Sequence, residues 1–213
     1  MGAARLDFML MKDVGFWKLC GSGTNEGFTP RPNTAVWAIL ATWPDEETAR
    51  DRIENAAVYR RWRRHAAEDW TVFLSTTSSK GEWSGQQPFD PSGDRPDGPL
   101  AALTRATIRP QKLTKFWGRE PDISLAIGQD PNVVFKIGIG EIPWLHQVTF
   151  SIWPDAKAMA NFARKHGPHA RAIRAVRDGQ WFREELYARF ALLGDHGTWG
   201  GESPLKDLKR PAL

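Results

Sequence analysis

His169 follows Gly167-Pro168 and opens the run Ala170-Arg171-Ala172-Ile173-Arg174-Ala175-Val176-Arg177. Proline at a first-turn position fixes the backbone and aims the next side chain reproducibly. An imidazole so placed suits the axial position of a haem iron. Arg171, Arg174 and Arg177 recur at helical spacing and suit the propionates of such a group. The same residues suit a capping histidine beside a solvated basic face, and by itself the run favours that second reading.

The remaining chemistry-bearing residues are less organised. His166 and His169 have the spacing of a metal pair, but Gly167-Pro168 interrupts the helix between them, and no further zinc ligands can be placed. His146 beside Trp144 is a weaker ligand candidate, and His65 and His196 read as surface or tail residues. Cys20 could ligate as a thiolate, although a small buried hydrophobe is the commoner role. The run Gly21-Ser22-Gly23-Thr24-Asn25-Glu26-Gly27 lacks the fingerprint of a dinucleotide or Walker loop. A redox enzyme built on this chain would therefore draw electrons from another protein. Glu184 and Glu185 are neighbours in a predicted strand, so they face opposite sides and do not form a catalytic carboxylate pair.

Composition narrows the class. The 213 residues are 41% hydrophobic and 25% charged, which is enough for one large domain or two small units sharing a core. The 11 tryptophans offer large rigid apolar area, suited to a core or to a cavity for a flat or elongated apolar ligand. Net charge is +4, which fits an acidic electron donor, an anionic membrane surface, or neither. Nucleic acid is not expected, because the basic run Arg60-Arg61-Trp62-Arg63-Arg64-His65 reads as a solvated helix face. Cys20 is the only cysteine, so no intrachain disulfide forms and a reducing, cytoplasmic setting is expected. No apolar run reaches the ~20 residues of a spanning helix. Any membrane contact would be peripheral.

Positioning falls to an internal repeat. Phe16-Trp17-Lys18-Leu19-Cys20-Gly21-Ser22-Gly23 is answered by Val134-Phe135-Lys136-Ile137-Gly138-Ile139-Gly140. Trp43-Pro44-Asp45 is answered by Trp153-Pro154-Asp155, 110 residues on, and Arg61 and Arg64 map onto Arg171 and Arg174 at the same offset. A repeat this long is a supersecondary unit. The second unit reads strand, helix, strand, strand, helix, strand, which is the ferredoxin-like split βαβ pattern. The first unit has the same order from a helix over 2–13 onward but lacks an opening strand. The expected fold is α+β: two tandem ferredoxin-like repeats forming one barrel-like domain. The expected divisions are 1–79, a linker or flap over 80–98, 99–193, and a poorly ordered tail over 194–213.

Several long motifs resemble a known family. Gly15-Phe16-Trp17-Lys18, Gly27-Phe28-Thr29-Pro30-Arg31-Pro32-Asn33, Trp43-Pro44-Asp45, Phe135-Lys136-Ile137-Gly138-Ile139-Gly140-Glu141, Phe150-Ser151-Ile152-Trp153 and the run from Trp181 to Phe190 resemble the spheroidene monooxygenase family of carotenoid biosynthesis. The resemblance implies a haem-containing oxygenase that uses dioxygen to place a keto group on an acyclic carotenoid, with a ferredoxin-like electron donor. Analogy with other haem proteins built on paired ferredoxin-like units favours His169 as axial ligand. Trp17, Trp37, Trp117, Trp144 and Trp153 are the expected walls of the substrate hollow, and Arg119 the group polarising bound oxygen. Another haem chemistry, such as dehydration or peroxidation, and a cofactor-free pigment-binding role both stay open. A homodimer is compatible with the sequence.

Overall fold

The computed structural model describes residues 2–25, 27, 29–91, 97–118, 132–164 and 180–208. In chain order the elements are α1 (Gly2–Leu10), β1 (Trp17–Gly23), β2 (Pro32–Ala41), α2 (Glu46–Asn55), α3 (Ala57–Arg63), β3 (Trp70–Gly81), β4 (Leu100–Ile108), a 3₁₀ turn (Pro110–Lys112) running into α4 (Leu113–Trp117), β5 (Phe135–Gly140), β6 (His146–Trp153), α5 (Ala156–Arg164) and β7 (Phe182–Gly197). The seven strands form one sheet in the order β2-β1-β5-β6-β4-β7-β3, with every pairing antiparallel. The architecture is α+β.

Strand periodicity decides which side chains meet. Along β6, Val148, Phe150 and Ile152 project to one face, opposite Arg105, Leu103 and Ala101 of β4. The same face collects Ile137 and Ile139 of β5, Leu186, Ala188 and Phe190 of β7, and Cys20 of β1 in one buried cluster. Val36, Ala38 and Leu40 of edge strand β2 join that cluster, as do Trp70, Val72 and Leu74 of the opposite edge strand β3. The sheet therefore curls until both edges serve one core. Trp70 of β3 lies 4.6 Å, ring centroid to centroid, from Phe135 of β5, across the curl.

The outer face is covered by helices. Asp45 caps α2, its Oδ1 accepting from the Thr48 amide at 2.7 Å, and Asp155 does the same for Ala158 ahead of α5 at 2.7 Å. These are the two copies of the Trp-Pro-Asp motif performing one job, the start of a helix after a strand. Ala4 and Phe8 of α1 pack with Val58 of α3 on Leu19, and Ala49 and Ile53 of α2 pack on Phe73 of β3.

Two expectations are corrected. The segment read as a linker or flap begins inside β3, which runs to Gly81, and it then sends Trp83 and Phe89 into the inner core. Its turn residues signalled a connection, but two aromatics in it outweigh the polar neighbours once an apolar interior is available. The segment read as a loose tail continues β7 to Gly197 and buries Leu205. Glu68 holds it in place, accepting from the amides of Gly200 and Gly201 and from the Thr198 hydroxyl at 2.6–2.8 Å.

Candidate functional site at the mouth of the curled sheet

Strand ends converge at one end of the inner face. Lys18 and Cys20 alternate with Trp17 and Leu19 along β1 and so point inward. Thr107 of β4 stands opposite Glu184 of β7, which puts Arg105, two residues back on the same face, diagonally within reach of that carboxylate. Glu141 follows the last residue of β5 and His146 opens β6, and the turn between them brings the pair together. Trp83 enters from the turn after β3 and is fully buried.

These groups form one polar ring. Glu141 Oε1 accepts from the Trp83 indole Nε1–H at 2.8 Å and lies 3.5 Å from Lys18 Nζ, while its Oε2 lies 3.1 Å from His146 Nδ1. Lys18 Nζ donates to Ser84 Oγ at 2.7 Å. Glu184 pairs with Arg105 and accepts from the amides of Gly85 at 2.7 Å and Ser84 at 3.1 Å. The Arg105 guanidinium lies over the Trp83 ring, 5.6 Å from its centroid. Arg105 is only 2% exposed, and its Nε is buried without an acceptor.

Electrostatics keep both carboxylates ionised. Burial pushes Glu141 up, but hydrogen bonds from His146 and Trp83 and the charges of His146 and Lys18 outweigh it and hold the group at about 2. Burial likewise pushes Glu184 up, and the Gly85 and Ser84 amides with Arg105 bring it below the usual carboxylate range. Cys20 behaves oppositely: burial, then the nearby Glu141 charge, raise its thiol far above the ordinary value. Cys20 is a buried neutral thiol. An ionised Glu141 only accepts, so the proton between the two groups sits on His146 Nδ1. Fixing a ring in this way is what a carboxylate does behind a ligating or proton-carrying imidazole.

The spheroidene monooxygenase of Rhodobacter capsulatus is 56% identical over 195 residues, spanning 90% of this chain and 81% of that protein. The protein of the same name from Rubrivivax gelatinosus is 36% identical over 186 residues, 87% of this chain and 72% of that one. This chain belongs to the spheroidene monooxygenase family. The Cereibacter sphaeroides member is 53% identical over 207 residues, and the chain spans 64% of its length. No family model matches. A solved structure from Fusobacterium nucleatum overlays 92% of this chain and 86% of its own at 10% identity and a TM-score of 0.45, too loose a superposition to carry an argument.

Within this spheroidene monooxygenase family chain, the residues expected to bind haem, His169, Arg171, Arg174 and Arg177, and Arg119, expected to polarise bound oxygen, fall outside the described residues. The five tryptophans expected to line one hollow are not gathered. Trp17 stacks on Phe8 of α1 at 5.2 Å, and Trp153 lies 5.2 Å from Phe162 of α5, both on the helix-covered outer face. Trp37 is half exposed and lies against Gly21. Strand parity is the reason, since Trp17, Trp37 and Trp153 each sit one residue out of phase with the inner positions. Trp117 and Trp144 do meet: the Trp117 indole donates to the Trp144 carbonyl at 3.0 Å, and the Trp144 indole donates to the Pro30 carbonyl at 2.8 Å. Trp144 has φ 67, a left-handed conformation that bulky residues rarely adopt. Lys18, Glu141 and Glu184 lie inside the long motifs and Arg105 outside them, but no motif marks the four as one site. They are far apart in the chain, and only alternation along β1, β4 and β7 hinted that they share a face.

Proposed function

We propose that this chain is a carotenoid monooxygenase that places a keto group on an acyclic carotenoid such as spheroidene. The observation that carries the reading is 56% identity to the Rhodobacter capsulatus spheroidene monooxygenase across 81% of that protein. Two successive hydroxylations at one carbon give a gem-diol, which loses water to the ketone. Each round consumes one dioxygen, two electrons and two protons, with the electrons drawn from a ferredoxin-like donor.

The same proposal reads the fold as tandem ferredoxin-like repeats. The order β5-β6-β4-β7 is that of a split βαβ unit, and β1, β2 and β3 supply a three-stranded counterpart. The repeat-related strands β1 and β5 pair with each other, Gly21 opposite Gly140, where the halves meet.

Haem is part of the proposal: His169 would ligate the iron, Arg171, Arg174 and Arg177 would pair with the propionates, and Arg119 would polarise dioxygen. The described residues do not by themselves fit a porphyrin. The inner face is filled by its own side chains, and Cys20 is a buried thiol. The group therefore rests on residues outside them. When bound, it would supply activation of dioxygen. The part played by the described residues is to hold a curled, apolar framework and keep charge confined to the mouth.

The test is the protein purified after expression with haem precursor. A Soret band, with a keto product that requires both dioxygen and reductant, is expected. Product formed without dioxygen or reductant would point to dehydratase or peroxidase chemistry, and pigment binding without a Soret band to a binding module. His169→Ala should abolish haem occupancy. An unchanged spectrum in that variant would remove His169 from the role.

A further inference from the structure

We propose that the outward face of α1, flanked by the outward arginines of α3, docks on an anionic lipid bilayer. The inference does not depend on which reaction the protein catalyses. It rests on how α1 distributes its side chains. Ala4 and Phe8, each 1% exposed, seat the helix on Leu19 and Val58. At 3.6 residues per turn, Leu6, Met9 and Leu10 then point away from the body, and they are 62%, 71% and 80% exposed.

A helix seated on a soluble body normally turns polar residues outward. Here the only acidic residue of α1, Asp7, turns inward and pairs with Arg61 of α3. The outward face keeps apolar side chains with Arg5 at its margin. α3 is fixed beside it by that ion pair and by the edge contact of Phe8 with Tyr59 at 5.9 Å. It turns Arg60 outward, and Arg64 at its C-terminal cap is exposed beside it. An apolar strip beside guanidinium groups is complementary to the acyl boundary and phosphate layer of an anionic membrane. The same charges disfavour a second copy as the occupant, because two-fold pairing through this face would set like arginines against each other. Among the described residues no helix is long and apolar enough to cross a membrane, so contact through this face would be peripheral.

The experiment is flotation of the 213-residue chain with vesicles of phosphatidylcholine alone and of phosphatidylcholine mixed with phosphatidylglycerol. Binding to the mixed vesicles should exceed that to neutral ones by about tenfold and fall as salt screens the headgroups. The variant Leu6→Gln/Met9→Gln/Leu10→Gln should lose about tenfold of that binding, and so should Arg60→Glu/Arg64→Glu on the neighbouring helix. Circular dichroism reports whether each variant keeps its fold. Wild-type protein that does not float, or folded variants that float as well as wild type, would overturn the proposal. So would light scattering that shows a dimer which the α1 variant converts to monomer, because a second copy would then cover the face.

Discussion

His146 Nδ1 lies 3.1 Å from Glu141 Oε2, across the turn that joins β5 to β6. The carboxylate also holds the Trp83 indole at 2.8 Å, so one group anchors both an imidazole and the aromatic plug of the mouth.

That double duty makes stability depend on pH through Glu141. Its folded value is about 2 against an ordinary 4.5, so the unfolded chain takes up the proton first. The contribution is fully present above about pH 4.5 and disappears as pH falls toward 2. Its size is about 2–3 kcal/mol. Urea midpoints from pH 6 down to pH 3 should fall more steeply for wild type than for Glu141→Gln. Parallel slopes would mean the carboxylate is not held as described.

The Arg105–Glu184 pair should behave as a coupled unit. Arg105 is buried, pairs with Glu184 and lies over Trp83, so Arg105→Met should lower unfolding free energy by about 3 kcal/mol. In a double-mutant cycle with Glu184→Gln, the coupling should reach about 1 kcal/mol. Simple additivity in denaturation would show the contact to be idle.

Gly27 turns at φ +90, and a Cβ added there would stand 1.8 Å from the Gly138 carbonyl oxygen. Gly27→Ala therefore combines backbone strain with a clash against β5 and should cost at least about 2 kcal/mol. Gly85→Ala is the control, since φ is +69 there but the space around it is open, and its cost should stay near ~1 kcal/mol. Thermal denaturation of the two variants compares them directly. Equal losses would mean that strain alone is being measured.

Cys20 should resist thiol reagents in the native state. It has no exposed surface, and burial with the Glu141 charge suppresses its ionisation. Labelling by a chromogenic disulfide should be orders of magnitude slower than in guanidinium and should follow the unfolding rate. Rapid labelling of folded protein would contradict the packing of β1 against β5.

The sequence by itself determined the elements. Alternation in Val148-Thr149-Phe150-Ser151-Ile152, the two Trp-Pro-Asp helix starts and the paired glycine-bearing strands are local signals, each readable within about ten residues, and β1, β2, β5 and β6 stand within a few residues of where they point. The long family motifs were equally legible, because identity is carried residue by residue. What tertiary structure decided is which face each residue serves. A tryptophan reads alike whether it lines a hollow or lies under a helix, and a single step of strand parity sent Trp17 and Trp153 to the helices rather than inward. The fate of Trp83 and Phe89, inside a segment with turn chemistry, depended on an apolar interior assembled by strands from both ends of the chain. The mouth cluster was invisible for the same reason: Lys18, Arg105, Glu141 and Glu184 become neighbours only when the antiparallel register aligns four strand ends, and register is a property of the folded sheet rather than of any one strand.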